Sequence, residues 1–128
     1  MIDALFDTNI IIYLSLQDKR YLEFVRLLDF LKLGISVISY MELMMGSKTA
    51  EDRRQLEEAL RGFEVVPLHR EIGDMTSKAL QVLEKKSLRV PQLADVIIAQ
   101  TALFYHAPLA TNNPKDFKLF KGLDLVVP

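Results

Sequence analysis

The sequence predicts an α/β fold: a three-layer α/β/α sandwich in which helices cover both faces of a central, mostly parallel sheet of 4–5 strands. Short apolar runs alternate along the chain with longer segments in which apolar residues recur at helical spacing. This order is typical of βαβ units with parallel strands. No linker rich in proline, glycine or serine interrupts the alternation, so residues 1–128 are expected to form a single domain.

Each predicted element comes from a local pattern. The apolar runs predict strands at residues 2–6, 35–38, 63–68, 109–111 and 123–127. Helical spacing predicts helices at residues 19–32, 50–61 and 70–86. A further apolar helix carries Asp95 in its first turn and ends near residue 105 or 106. Residues 10–16 are almost entirely apolar, and periodicity alone does not separate helix from strand there. Ser39 and Glu42 match the capping box S-x-x-E, which predicts a short helix after the second strand.

Composition excludes several classes of protein. Half of the residues are apolar and 26% are charged, as in globular domains, and no apolar run approaches the roughly 18 residues of a membrane span. The first apolar run follows acidic residues rather than a basic segment, which is untypical of a signal peptide, so a cytoplasmic protein is expected. The absence of cysteine excludes disulfides and thiolate catalysis. The net charge of −1 means that any binding of nucleic acid must use local basic patches.

Polar residues follow the predicted strands. Asp7 comes directly after the first strand, Glu42 one helical turn after the second, and Asn113 and Asp116 shortly after the fourth. In open α/β sheets, ligands bind beyond the carboxyl ends of the strands, so these side chains are expected to converge. Asp95 lies in the first turn of an apolar helix, and it joins them only if the preceding loop returns the chain to that end of the sheet.

Two interpretations of these acids stay open at this point. Singly, each has a local explanation: a helix cap for Asp7 and Glu42, the helix dipole for Asp95, and a turn for Asp116. Together, clustered carboxylates repel one another unless a cation neutralises them, and oxygen ligands favour Mg²⁺ or Mn²⁺. Zinc is disfavoured because the two histidines have no metal-ligand spacing.

The sequence resembles the PIN domain family, and within it the VapC-type toxin ribonucleases. The resemblance is carried by four segments: FDTNIIIYL, ISVISYMELMMGS, LADVIIAQTALFYHAPLATNNPKDF and GLDLVVP. It is weakest between residues 49 and 86. It implies a PIN-like sandwich, cleavage of RNA that depends on Mg²⁺ or Mn²⁺, products with 5′-phosphate and 3′-hydroxyl ends, and inhibition by a cognate antitoxin.

The resemblance also implies roles for individual acids. Asp7, Glu42 and Asp95 match three acids of the family and are expected to bind the metal and to be catalytic. Asn113 stands where many members have aspartate, so Asp116, the nearest acid, is expected to complete the catalytic and metal-binding set. This departure leaves open whether one or two metal ions bind, and whether Asp116 or Asn113 fills the fourth position.

Supporting residues are expected around these acids. Asn9, Thr111 and Asn113 would orient the carboxylates, Thr111 matching the threonine that ends the fourth strand in the family. Basic residues that flank the acids in sequence would guide RNA to the site. These are Lys85, Lys86, Arg89, Lys115 and Lys118. The alternative is that they are ordinary surface residues.

Surplus apolar residues predict partner surfaces, for a second copy in a homodimer and for an antitoxin helix. They are Tyr21, Phe24, Leu27, Phe30, Tyr40, Met44 and Met45. The alternative is that most of them belong to the core.

Three other functions remain compatible with the sequence. One is an RNA-processing PIN domain nuclease that is not a toxin. Another is a catalytically inactive module that binds RNA or protein, which Asn113 makes conceivable. The third is a phosphoacceptor signalling domain, which would require a lysine on a late strand where this chain has Thr111.

Overall fold

The computed structural model describes residues 1–86 and 89–128. Ser87 and Leu88, which belong to the basic connection 85–89, lie outside the described residues. The elements in chain order are β1 Ala4–Phe6, α1 Thr8–Ser15, α2 Lys19–Arg26, β2 Leu33–Ser36, α3 Val37–Gly46, α4 Ala50–Ala59, β3 Phe63–Val66, α5 Arg70–Lys85, α6 Leu93–Phe104, β4 Leu109–Ala110, a 3₁₀ turn Pro114–Asp116, and β5 Leu125–Val126. No helix in these ranges is both long and apolar enough to cross a membrane.

The sheet is parallel throughout, with strand order β3-β2-β1-β4-β5. Successive side chains of a strand point to opposite faces, so the neighbouring residues Leu5 and Phe6 of β1 belong to different apolar clusters. Phe6 packs with residues of α1, α3 and α4, and Leu5 packs with residues of α6. Helix α5 packs in turn against α6. The predicted α/β fold with helices on both faces of a parallel sheet is confirmed.

The start of α3 differs from the prediction. Strand β2 ends at Ser36, and its hydroxyl accepts a hydrogen bond from the backbone N–H of Ile38 at 3.2 Å, so Ser36 is the N-cap. Ser39 lies inside the helix and is fully buried. The predicted capping box of Ser39 and Glu42 is therefore wrong. The sequence pattern failed because Ser36, three residues earlier, offers the same capping chemistry directly after the strand.

Other differences concern element ends. The ambiguous run 10–16 is helical and belongs to α1. Helix α2 ends at Arg26, although a helix was predicted to residue 32. Leu27 and Phe30 are 62% and 78% exposed, so their burial contributes little toward holding a longer helix against the sheet. Helix α6 begins at Leu93, so Asp95 lies in its first turn, as predicted.

Gly34 of β2 leaves no room for a side chain. A Cβ atom at this position of β2 would lie 2.7 Å from Cγ2 of Ile2 and 3.3 Å from the backbone oxygen of Glu64. We expect Gly34→Ala to lower the free energy of unfolding by about 1–3 kcal/mol, since a methyl group forced into a packed core shifts its neighbours. Urea denaturation measures this change. Gly46→Ala is the control, because no atom lies within 4 Å of its added Cβ, and an equal loss in both variants would contradict the steric explanation.

Candidate active site

Asp7 and Thr111 meet at the carboxyl end of the sheet, because each directly follows one of the neighbouring strands β1 and β4. The Asp7 carboxylate accepts hydrogen bonds from the backbone N–H of Thr8 and from the hydroxyl of Thr111, both at 2.8 Å. Asp7 is only 7% exposed and is also the N-cap of α1. The capping role and a role in a site are therefore compatible, since the cap bond itself fixes the carboxylate.

The loop after β4 supports Asp7 through its backbone. The buried hydroxyl of Thr111 accepts a hydrogen bond from the backbone N–H of Asn113 at 3.0 Å and donates its own proton to Asp7. The side chain of Asn113 belongs to an exposed residue and makes no cap bond at the 3₁₀ turn. Asn113 thus acts on Asp7 through its amide N–H, a contribution that any residue except proline could make at this position.

Glu42 is oriented by a hydroxyl chain from α1 and α3. The Thr8 hydroxyl lies 2.8 Å from the Ser39 hydroxyl and 3.1 Å from Oε1 of Glu42. An ionised carboxylate can only accept hydrogen bonds, so Thr8 donates its proton to Glu42 and in turn accepts the proton of Ser39. Asn9, by contrast, is exposed, and no side-chain hydrogen bond of Asn9 is found among the described residues.

Asp95 comes to the same place as the other acids. It lies in the first turn of α6 and is half-buried. Burial, and after it the charges of Asp7, Asp116 and Glu42, raise the pKa of Asp95 to about 6. The start of α6 therefore lies with the other acids at the carboxyl end of the sheet.

Asp116, at the end of the 3₁₀ turn, is the acid that the fourth-strand loop directs toward this cluster. Its charge contributes to the raised pKa of Asp95 and of Asp7. For Asp7, burial is the largest cause of the raised pKa, and it exceeds the opposite effect of the hydrogen bonds from Thr111 and Thr8. Asp116 and Asp95 also line one cavity of about 470 Å³ together with Arg89 and Lys115.

The cluster of Asp7, Glu42, Asp95 and Asp116 has the chemistry of a site for a hard divalent cation. None of the ion pairs formed by the described residues includes any of the four. In the same part of the chain, no three acidic or histidine side chains lie close enough together to hold an ion by themselves. Mg²⁺ normally keeps several waters and takes one or two protein carboxylates, so the four acids fit it as an open ligand set.

The profile of the PIN domain family matches residues 4–123. The chain belongs to this family. Ribonuclease VapC1 of Methanocaldococcus jannaschii is 31% identical to this PIN domain over 94 residues, which are 73% of this chain and 68% of the relative. The resemblance to VapC-type PIN domains is confirmed, and the interpretation as a phosphoacceptor domain is rejected.

Solved structures extend the likeness to almost the whole PIN domain. A chain of VapBC2 from Rickettsia felis, bound to a DNA fragment from its promoter, superposes with a TM-score of 0.87 at 26% identity and 97% coverage of both chains. A chain of a toxin–antitoxin complex from Klebsiella pneumoniae superposes with a TM-score of 0.75 at 28% identity, covering 96% of this chain and 95% of the other. The order of layers seen here is thus that of VapBC proteins.

The basic residues named from the sequence divide into two groups. Arg89 and Lys115 line the cavity of Asp95 and Asp116, and Lys86 lines the neighbouring groove. Lys85 and Lys118 are exposed and are not among the described residues that line either.

Sequence reasoning missed Thr8 and Ser39 as supporting residues. Thr8 directly follows Asp7 and is a residue type that commonly caps helices, and the sequence predicts Ser39 as a cap that Ser36 forms instead. The available signal was the spacing of Ser39 and Glu42, which puts both on one face of a helix once the helix starts at residue 37.

Proposed function

We propose that this PIN domain is a VapC-type endoribonuclease that hydrolyses RNA phosphodiester bonds with the help of a divalent metal ion. The observation that carries the proposal is the convergence of Asp7, Glu42, Asp95 and Asp116, all without ion-pair partners in the described residues, at one edge of a PIN sheet. PIN domain ribonucleases of the VapC type depend on a metal ion in general. For this chain the all-oxygen donor set favours Mg²⁺ or Mn²⁺.

In this proposal Asp7 and Asp95 would hold the ion directly, Glu42 would bind it directly or through water, and Asp116 would supply the fourth acid. Such an ion would supply Lewis-acid chemistry, polarising a phosphate oxygen and lowering the pKa of the water that adds to phosphorus as the 3′ oxygen leaves. Asp7 suits its role because hydrogen bonds from Thr8 and Thr111 hold both carboxylate oxygens in a buried position. Helix α6 is buried over most of its surface, which gives Asp95 a rigid support.

A cognate antitoxin and a second copy of the chain are the proposed partners, and the cytoplasm the proposed location. The described complexes of related proteins contain toxin and antitoxin together. Of the apolar residues expected to form partner surfaces, Leu27, Phe30 and Met45 are more than 60% exposed, whereas Tyr21 is buried in the core. Exposed apolar side chains of this size favour an interaction with another protein.

A cleavage assay tests the proposal. Purified protein is incubated with single-stranded RNA and Mg²⁺ or Mn²⁺, then with excess EDTA, and then with the metal restored. We expect cleavage only with metal, and products with 5′-phosphate ends. Cleavage that persists in EDTA would refute the metal-dependent chemistry, and RNA that is bound but not cut in all conditions would favour the inactive binding module. Neutralisation by the product of an adjacent small gene separates a toxin from an RNA-processing nuclease.

Thr8→Val tests the hydroxyl chain that orients Glu42. Valine keeps the shape of threonine but cannot donate to the carboxylate, so we expect Mn²⁺ affinity and the cleavage rate each to fall about 10- to 100-fold. Electron paramagnetic resonance of free Mn²⁺ measures the affinity without relying on activity. Thr8→Ser restores a hydroxyl and is expected to recover most of both values. Equal affinity in the valine variant and the native protein would remove Thr8 from the site.

A further inference from the structure

The acidic cluster is flanked by two depressions of opposite character. On one side, a cleft of about 220 Å³ between α1, α3 and α4 contains the acids Glu42 and Asp52 beside the apolar side chains of Ile12 and Leu16. The described residues that line this cleft include no lysine or arginine. A polyanion would meet only negative charge there, so this side offers poor support for an RNA strand.

On the other side, the cavity of Asp95 and Asp116 borders a groove between α5, α6 and residues 119–121. Leu119 lines both spaces, so the groove is adjacent to the acidic cluster. Its volume is about 440 Å³, and its rim carries Lys78, Lys86 and Lys121. No acidic residue is among the described residues that line it.

The lysines of this groove, like the other described lysines, form no ion pair, in contrast to four arginines of the surface. On α2 and α4 and directly after α4, four arginines each form an ion pair with a glutamate of the same segment. Lys78, Lys86 and Lys121 are exposed, and none of them forms an ion pair with a described residue. Cations without internal partners remain available to an external anion, and three of them along one groove match the repeated charge of a phosphate backbone.

The floor of the groove is apolar. Met75, Val82 and Leu103 line it, and Val82 is 48% exposed. Nucleic-acid grooves for single strands combine cations that contact the backbone with apolar or aromatic surface against which bases pack. A second copy of this chain would instead have to bring acidic residues to the same rim, because three desolvated lysines without partners would oppose association.

We propose that this basic groove, formed by Lys78, Lys86 and Lys121 over the floor of Met75, Val82 and Leu103, binds the single-stranded RNA segment next to the cleaved phosphate. The inference rests on the proposed ribonuclease function and adds a direction to it: the strand leaves the acidic cluster past Arg89 and Lys115 and runs along α5. The cleft between α1, α3 and α4 stays free of RNA.

The test measures RNA binding apart from cleavage. Fluorescein-labelled single-stranded RNA is titrated with Asp7→Asn protein, which keeps the groove, and with the same protein carrying Lys78→Gln and Lys121→Gln. We expect the double change to weaken binding about tenfold at low salt and to reduce the slope of log Kd against log salt by about 1.4, or about 0.7 for each lost phosphate contact. The matched control is Lys19→Gln with Lys32→Gln, two exposed lysines that line neither the groove nor the cavity of Asp95 and Asp116. Its RNA affinity is expected to stay within about twofold of that of the Asp7→Asn protein.

Photocrosslinking of RNA that contains 4-thiouridine gives a second readout. We expect crosslinked peptides from α5 and residues 119–121, and none from α1 or α4. Equal affinities in the groove and control variants, with cleavage of RNA by the native protein, would overturn the groove and leave the ribonuclease function standing. A dimer that becomes monomeric in the groove variant, with unchanged RNA affinity, would assign the groove to a second copy and overturn the inference. Native protein that neither cuts nor binds RNA would overturn both proposals.

Discussion

Asp7→Asn is expected to reduce the rate of metal-dependent RNA cleavage by about a thousandfold while the fold stays intact. This factor corresponds to a loss of about 4 kcal/mol of metal-assisted stabilisation of the transition state. Asparagine is as good an N-cap as aspartate, so α1 keeps the bond from the Thr8 N–H. The amide NH2 of asparagine takes the place of the other carboxylate oxygen, so it donates to the Thr111 hydroxyl where Asp7 accepted. The negative charge is lost, and that charge is what the proposed metal ion requires.

Three measurements separate this loss of charge from a loss of structure. Cleavage rates are compared at saturating Mg²⁺, Mn²⁺ affinity is measured by titration, and the thermal midpoint of unfolding is recorded for both proteins. The matched control is Asp29→Asn, an exposed aspartate remote in sequence from the four acids, and its cleavage rate is expected to equal that of the native protein. If Asp7→Asn kept more than about a tenth of the native rate, Asp7 would not be a metal ligand in the sense proposed here.

Local chemistry was sufficient to predict the positions of Asp7 and Thr111. Both directly follow buried apolar strands, and neighbouring parallel strands end at the same edge of a sheet. Asp95 could not be predicted in the same way, because no strand precedes it. Its place depends on how α6 packs against the sheet and α5, which no local pattern in the sequence specifies.

The hydroxyls that support the acids could not be predicted from the sequence for a different reason. Ser36, Ser39 and Thr8 are all capping residues by type, and sequence patterns do not say which of them caps a helix. Strand pairing decides it: β2 stays in register with β3 as far as Ser36, so the helix starts at the next residue and Ser39 is carried into the interior toward Thr8. A shift of three residues in the helix start thus converts a presumed cap into part of the acidic site.

The fourth position of the family pattern depends on backbone geometry. The sequence resemblance predicts Asn113 at the position of the family's aspartate, yet its contribution to Asp7 comes through its amide N–H. Asp116 brings its charge to Asp7 and Asp95 from the end of the next turn. Because the turn Pro114–Asp116 is short and begins with a proline, it can present an acid three residues later in nearly the same region.

Asp116→Ala is therefore expected to weaken metal binding more than Asn113→Ala does.

Asp95→Asn is expected to abolish cleavage and at the same time to stabilise the metal-free protein. Partial burial and three neighbouring acids raise the pKa of Asp95 from 3.8 to about 6, so its ionised form is disfavoured in the folded state at neutral pH. A shift of this size corresponds to about 3 kcal/mol for a fully buried group, and solvent screening of a half-buried one reduces it to about 1 kcal/mol. The thermal midpoint should rise by about 4 °C at pH 8.

The pH dependence of the stability gained in Asp95→Asn shows whether the raised pKa of Asp95 is its cause. Between pH 3.8 and 6 the folded native protein binds more protons at Asp95 than the unfolded chain does, so its stability falls as pH rises through this window. The advantage of Asp95→Asn is therefore full above the folded pKa, declines as pH falls through about 6, and vanishes below 3.8. Thermal unfolding of both proteins in EDTA from pH 5 to 8 measures the difference.

Saturating Mg²⁺ should raise the midpoint of the native protein at pH 8 more than that of the variant, since an ion that binds only the folded state stabilises it. A stability difference that does not change with pH would show that Asp95 is not held among like charges, and the proposed cation site would lose its electrostatic basis.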